Sequence, residues 1–294
     1  MLDFESIINI PTPIVQLHEE LFEKKQVQVY VKRDDLTHPF ISGNKFRKLK
    51  FNLLEARSLG VNKLLTFGGA YSNHLAAFAF ACKAFGFKGK VVVRGDELNE
   101  SSSLTLSYAA SQGVELDFVT RTAYRNKEQL AEIYGEGYFV IPEGGSNALA
   151  LKGVGEVVDE LGDFDYLLTA CGTGGTMAGL IQNSNSQITG VSALKGGDFL
   201  REDISNLLEK PFPENATLFT EYHFGGYAKH TPELLNFIQQ FESKHSILLE
   251  QVYTGKAFFA FYDLLNKGYF TPNSKVVLLH TGGLQGRVSD LDRG

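Results

Sequence analysis

Short apolar runs alternate with longer amphipathic segments along almost the whole chain. VQVYVK (27–32), NKLLTF (62–67), GKVVVR (89–94), VELDFV (114–119), GYFVIP (137–142), DYLLTAC (165–171) and QITGVSAL (187–194) are rich in β-branched and aromatic residues. They have the length of buried strands. Between them, apolar side chains recur at helical spacing in FRKLKFNLLEARSL (46–59), YSNHLAAFAFACKAFG (71–86), SSLTLSYAASQG (102–113), AYRNKEQLAEIYG (123–135), ALALKGVGEVVDEL (148–161) and TMAGLIQNS (176–184). GKAFFAFYDLLNKG (255–268) reads as a further helix, and SKVVLLHTGG (274–283) as a strand running into a turn. Such alternation predicts an α/β protein with parallel sheets and right-handed crossovers. No Pro/Ser-rich linker marks a boundary, so two α/β lobes with the chain crossing between them are expected. Residues 210–230 are the least regular stretch, and loops of this kind often carry function.

Composition narrows the class without changing the fold. The 294 residues are 43% hydrophobic and 21% charged, ordinary for a globular protein with real cores. The formal net charge of −6 is spread along the chain, and the one basic cluster, Lys45 to Lys50, is interleaved with Phe and Leu. No nucleic-acid footprint results. The most apolar stretch, LAAFAFACKAFGF, is short and interrupted by Lys83, so no membrane span is expected. The opening residues carry acidic side chains and two prolines where a secretory leader needs a basic start and an apolar run. Cys82 and Cys171 make no disulfide framework and the seven histidines have no ligand spacing, so a reduced, cytoplasmic, metal-free protein is expected.

Candidate chemistry lies in the turns that follow strands, where open α/β sheets bind ligands. CGTGGTMAGL, after 165–171, places three glycines and two threonines between a buried strand and a helix start. Free backbone N–H groups and the helix dipole make such a turn an anion site. It lacks the small residue of a dinucleotide fingerprint at Met177 and the Gly-Lys-Ser/Thr of a triphosphate loop, so a single phosphate fits best. GGAYSNH (68–74) is no serine-hydrolase elbow, because Ala70 and His74 stand where glycines belong. Alone, it and EGGSN (143–147) read as tight turns with caps. TGGLQG (281–286) offers the Thr281 hydroxyl at another glycine-rich strand end.

Lys45 follows Ser-Gly-Asn, with Asn44 as the expected N-cap, and so falls in a helical first turn. A cation is disfavoured there by ~0.3–1 kcal/mol. A neutral amine or a covalently modified lysine tolerates the position better, although the segment taken alone also fits a solvated lysine on a basic face. Lys48, three residues on, shares the same helix face. A phosphorylated aldehyde cofactor gives the lysines, the anion loop and the polar turns a common purpose. Pyridoxal 5′-phosphate (PLP) needs a lysine, a phosphate loop and polar groups for its ring.

SGNKFRKLKF, TFGGAYSNH, IPEGGSNALALKG, CGTGGTMAGL, VYTGKAF and LLHTGG resemble, in the same order, segments of the 1-aminocyclopropane-1-carboxylate deaminase/D-cysteine desulfhydrase family, from about residue 10 to 286. The resemblance implies PLP fold type II: two open twisted, mostly parallel sheets flanked by helices, like the tryptophan synthase β-subunit. It implies a small domain at 48–154, a large PLP-binding domain from 1–47 plus 155–294, and a homodimer. Lys45 would join the cofactor's aldehyde and later move the substrate's α-proton. Lys48, Thr173, Gly174, Gly175 and Thr176 would hold the phosphate, and Asn73 the ring oxygen. Ser72 would contact the substrate carboxylate or assist proton transfer, with His74 and Tyr71 shaping that pocket. Tyr253 and Tyr227 would stand near the substrate. Family deaminases carry Glu where Thr254 stands and Leu where Thr281 stands, so both threonines match the D-cysteine desulfhydrase branch. A threonine beside the ring nitrogen makes a weaker electron sink than a carboxylate, which favours elimination of a good β-leaving group such as thiolate. The implied activity is release of pyruvate, hydrogen sulfide and ammonia from a small amino acid. A cyclopropane-opening deaminase, an eliminase for another β-substituted amino acid, and a non-catalytic PLP or amino-acid binding protein are the rivals.

Overall fold

The computed structural model describes residues 2–291. Its strands are β1 (Ile14–Leu17), β2 (Gln28–Lys32), β3 (Lys63–Gly68), β4 (Lys88–Arg94), β5 (Glu115–Val119), β6 (Phe139–Val140), β7 (Tyr166–Cys171), β8 (Gln187–Ser192), β9 (Ala216–Phe219) and β10 (Lys275–Leu279). The helices are α1 (Glu20–Lys25), α2 (Asn44–Ser58), α3 (Asn73–Phe85), α4 (Leu104–Ser111), α5 (Lys127–Tyr134), α6 (Ala148–Asp159), α7 (Gly175–Asn183), α8 (Leu200–Leu208), α9 (Pro232–His245) and α10 (Thr254–Asn266). Six strands form one sheet in the order β1-β2-β10-β7-β8-β9, and four form another in the order β5-β4-β3-β6. Every pair is parallel except β1–β2. This is the two-sheet, mostly parallel α/β architecture expected.

Burial on both faces explains why these strands are continuous apolar runs. In β10, Val276 and Leu278 enter the core under α9 and α10, while Val277 and Leu279 point to the opposite face under α6 and α7. That alternation is the period-2 geometry of a strand. In the smaller sheet, Val91 and Val93 pack with α2 and α3, and Val92 faces the α5 side with Leu65 and Phe67. The expected domain limits at 48 and 154 fall inside α2 and α6, two helices in close contact.

Several local expectations shift. α2 begins at Asn44, and Gly43 is its cap, with φ of +62°. A side chain at residue 43 would bring a Cβ within 2.0 Å of the Thr281 carbonyl oxygen, so only glycine lets this turn lie against the end of β10. The 123–135 helix splits into a short 3-10 turn and α5, because the Asn126 side chain accepts from the Gln129 N–H and starts a new helix. The irregular 210–230 stretch contains β9. β1, α1, α8 and α9 were not anticipated.

A buried ionic cluster fixes α2. Arg47, fully buried, donates to Glu160 on α6 at 2.8 Å and to Asp34 at 3.1 Å. Lys32 on β2, also fully buried, donates to the same Glu160 at 2.6 Å. Thr12 closes the cluster by donating to Asp34 at 2.7 Å. Lys45, two residues before Arg47, is therefore carried on a helix locked to both β2 and α6.

Candidate active site

The C-terminal ends of β3, β7 and β10 face a cavity of about 640 Å³ between the two sheets, within the usual range for a cofactor and small ligand. Lys45 and Lys48 line it from α2. Asn44 does not cap its helix. Its carbonyl accepts from the Lys45 ammonium at 2.6 Å, and its NH2 donates to Thr176 at 2.7 Å. Thr176 lies in the first turn of α7, so one asparagine ties the lysine to the glycine-rich loop. Lys48 donates to the Gly144 carbonyl and the Ser146 hydroxyl, both at 3.1 Å, and reaches Thr173 at 3.5 Å. The EGGSN turn, structural by sequence, is thus part of this cradle.

Two amines share a desolvated site. Burial pulls Lys45 down to about 8, with the Glu250 charge opposing. Burial and the nearby Lys45 charge pull Lys48 down to about 7. His74 is pushed down to about 3 by burial and the same two cations. Its Nε2 lies 2.9 Å from Thr66, whose hydroxyl donates to the Ile141 carbonyl at 2.8 Å. Nδ1 is buried and has no partner among the described residues.

The loop after β7 completes the wall. Gly174 holds φ of +75° at the start of α7. Gly175 stands behind the lining, where a Cβ would meet Ser146 Oγ at 2.4 Å and Lys48 Nζ at 3.0 Å. Thr173, Gly174 and Thr176 line the cavity itself. From the β3 turn come Tyr71, Ser72, Asn73 and His74. Ser72 caps α3 through the Leu75 N–H, and Tyr71 is 72% exposed at the mouth. Tyr253, Tyr227 and Thr281 line the large-sheet side. The two tyrosine rings sit edge to face at 6.1 Å, and burial raises both phenols, Tyr253 the more strongly. Both therefore keep their protons at neutral pH.

Thr254 stands apart. It is buried behind the lining, its hydroxyl donating to Glu250 at 3.1 Å. The fully buried Glu250 carboxylate also accepts from the N–H groups of Val252, Tyr253 and Thr254 at the start of α10. The site roles of Asn44, Ser146 and Glu250 were not legible in the sequence. Asn44 and Ser146 lie inside motifs and Glu250 two residues before VYTGKAF, and only the tertiary approach of these segments gives each its partners. Lys256 was also passed over. It donates to the His223 and Gly226 carbonyls, both at 2.8 Å, and so anchors the loop that carries Tyr227.

The model of pyridoxal-phosphate-dependent enzymes matches residues 6–282, most of the chain. The chain belongs to the pyridoxal-phosphate-dependent enzyme family. A Pyrococcus abyssi protein, provisionally named 1-aminocyclopropane-1-carboxylate deaminase, is 35% identical over 96% of this chain and 93% of its own length. A D-cysteine desulfhydrase of Klebsiella pneumoniae is 28% identical over 94% of this chain and 93% of its own. A crystal structure described as an ACC deaminase homologue has a TM-score of 0.79 at 31% identity, covering 98% of this chain and 94% of that one. PLP is the cofactor of this family, and the cavity suits it. Two amines with no carboxylate partner among the described residues, and a glycine turn closed to any Cβ, are what an anionic cofactor would satisfy.

The paired amines give the cofactor-free PLP enzyme a definite pH response. Lys48 has its ordinary value near 10.5 when unfolded and about 7 when folded. Between those values the unfolded chain binds more protons, so stability rises with pH across pH 7–10.5 and is lowest below pH 7. Lys48→Met should stabilise the PLP-free protein by about 1–3 kcal/mol at pH 6 and flatten that rise. Urea unfolding at pH 6, 8 and 9.5 checks it. The same variant should weaken PLP binding.

Proposed function

We propose that this PLP enzyme is a lyase acting by α,β-elimination on a small β-substituted amino acid, with D-cysteine the first substrate to try. The observation that carries this reading is the hydroxyl at both sorting positions. Thr281 faces the cavity from the end of β10, and Thr254 spends its hydroxyl proton on Glu250. With neither position offering a carboxylate to the ring, a substrate with a good leaving group asks least of the site.

When bound, PLP supplies the sink for charge developing at the substrate α-carbon. Lys45 would hold the aldehyde, and with burial lowering its pKa to about 8 part of it is unprotonated near neutral pH, as a base for the α-proton must be. Lys48 and the 173–176 turn would hold the phosphate, and Asn73 the ring oxygen. Ser72, with the N–H groups that open α3, would bind the substrate carboxylate. The proton-bearing pair Tyr253 and Tyr227 would donate to the departing group. Ammonia and a 2-oxo acid are the products. The reading of the protein as a cytoplasmic homodimer rests on the family resemblance and on two buried, unpaired thiols, Cys82 and Cys171.

The names of relatives such as the Pyrococcus abyssi protein favour a second reading, opening of the 1-aminocyclopropane-1-carboxylate ring. One assay separates the two. The holoenzyme is offered both enantiomers of cysteine and serine and the cyclopropane amino acid, with 2-oxo acid, ammonia and sulfide measured. Pyruvate with sulfide from D-cysteine, at the highest kcat/KM of the set, is the expected result. Faster formation of 2-oxobutyrate from the cyclopropane substrate transfers the assignment to the deaminases.

A further inference from the structure

Arg94 ends β4 and lines the same cavity as Lys45 and Ser72, yet no role described above uses it. Its guanidinium lies over the β3 turn, where a Cβ on Gly69 would stand 3.6 Å from Nη2. Its described neighbour is the Tyr124 ring, 5.9 Å from the centroid, and among the described residues it has neither an ion pair nor a hydrogen bond. The other charges on this side are spoken for. Lys127 pairs with Glu143 at 3.0 Å, and Glu143 also accepts from the Tyr124 hydroxyl at 2.9 Å. Asp203, the other carboxylate on the wall, precedes Ile204, which abuts Gly174. Tyr227 lines the same cavity, and the Arg94 charge opposes the rise that burial gives its phenol. An unpaired guanidinium thus faces the space between the β3 turn and the tyrosine pair.

We propose that Arg94 determines specificity by binding an anionic β-substituent of the substrate as it leaves. The proposal rests on the lyase reading above and names its substrate class: small amino acids whose β-carbon bears an anionic oxyacid group, of which a phosphate ester is the probe. A planar guanidinium grips a tetrahedral oxyanion through two parallel hydrogen bonds, which neither tyrosine can do. In the elimination, the Cα–H bond gives its proton to Lys45. The Cβ–O bond breaks with its electron pair going to the phosphate. Water then releases ammonia from the dehydroalanine left behind, giving pyruvate. Per turnover one O-phosphoserine and one water become pyruvate, ammonium and inorganic phosphate, with no oxidant or reductant.

The test has a binding arm and a turnover arm, both on the PLP-loaded enzyme. Calorimetry compares 3-phosphonopropionate with propionate, neither of which carries an amine. The dianion should bind at least about 10-fold more tightly to the wild type. Arg94→Gln should remove most of that difference and Arg94→Lys only part of it. In turnover of racemic O-phosphoserine and serine, Arg94→Gln should depress kcat/KM for the phosphate ester at least about 10-fold more than for serine. Equal weakening of both acids would place Arg94 on the α-carboxylate and overturn the proposal, as would a wild type that does not discriminate between them. Pyruvate from D-cysteine without that discrimination would sink this inference and leave the lyase reading standing. Discrimination without pyruvate from any substrate would support the anion site and sink the lyase reading.

Discussion

Lys45→Ala should fold, bind PLP without a borohydride-fixable link, and turn over at no more than about one-thousandth of the wild-type rate. The side chain is asked to do two things, and alanine does neither. Its amine lies 2.6 Å from Asn44, in a cavity whose burial lowers its pKa to about 8, so an appreciable neutral fraction exists at physiological pH. No other lysine near the cavity is free to substitute: Lys127 is paired with Glu143 at 3.0 Å. Lys48 is held by Gly144 and Ser146 on the loop side, and Lys256 is fully buried under the 223–226 turn. Absorbance of the purified variant, mass spectrometry after borohydride treatment, and 2-oxo acid release check the three parts. Borohydride fixation at residue 48 in the variant, with activity above about one-tenth of wild type, would move the covalent role off Lys45.

Arg47→Leu should cost about 3–5 kcal/mol, because it leaves the buried Asp34 carboxylate without a cation and Glu160 with Lys32 alone. Asp34 is fully buried and the Glu160 side chain is 13% exposed. Burial alone would push the Glu160 carboxyl up, but bonds from Arg47 and Lys32 hold it below its ordinary value. In a protein of this size the loss corresponds to a fall in Tm of roughly 6–15 °C. Differential scanning calorimetry of the PLP-loaded protein measures it. PLP binding should weaken in parallel, since α2 carries both Lys45 and Lys48. A change below about 1 kcal/mol would mean that the cluster contributes little net stability, as an exposed pair does.

The central strands and their helices were legible because each buries a continuous apolar face, and this leaves a plain periodic trace. β7, β10 and α6 are of this kind. β1, β9 and α1 left a weak trace because they are short and lie at sheet edges or on the surface, with few apolar positions to count. α8 and α9 are amphipathic, but they flank the irregular 210–230 stretch, where the strand–helix alternation is broken and gives their periodicity no frame. Site residues were legible where the backbone itself needs an unusual residue, as in the glycines before α7. They were illegible where function comes from long-range partners. Glu250 reads as one acidic residue among 34 acidic side chains until α10 wraps its first N–H groups around it. Arg94 ends an ordinary strand, and nothing local distinguishes it from the other surface arginines.

The contact between α2 and α6 limits how the molecule can move. α2 and α6 meet so closely that a single methyl group at Gly153 would come within 1.9 Å of the Arg47 carbonyl oxygen. Both helices run without interruption past the expected lobe limits. The two helices are therefore tied through their backbones, and a shift of α6 has to carry α2, with Lys45 and Lys48, along with it. A bulkier residue at position 153 should therefore displace α2 and disturb both cavity amines at once.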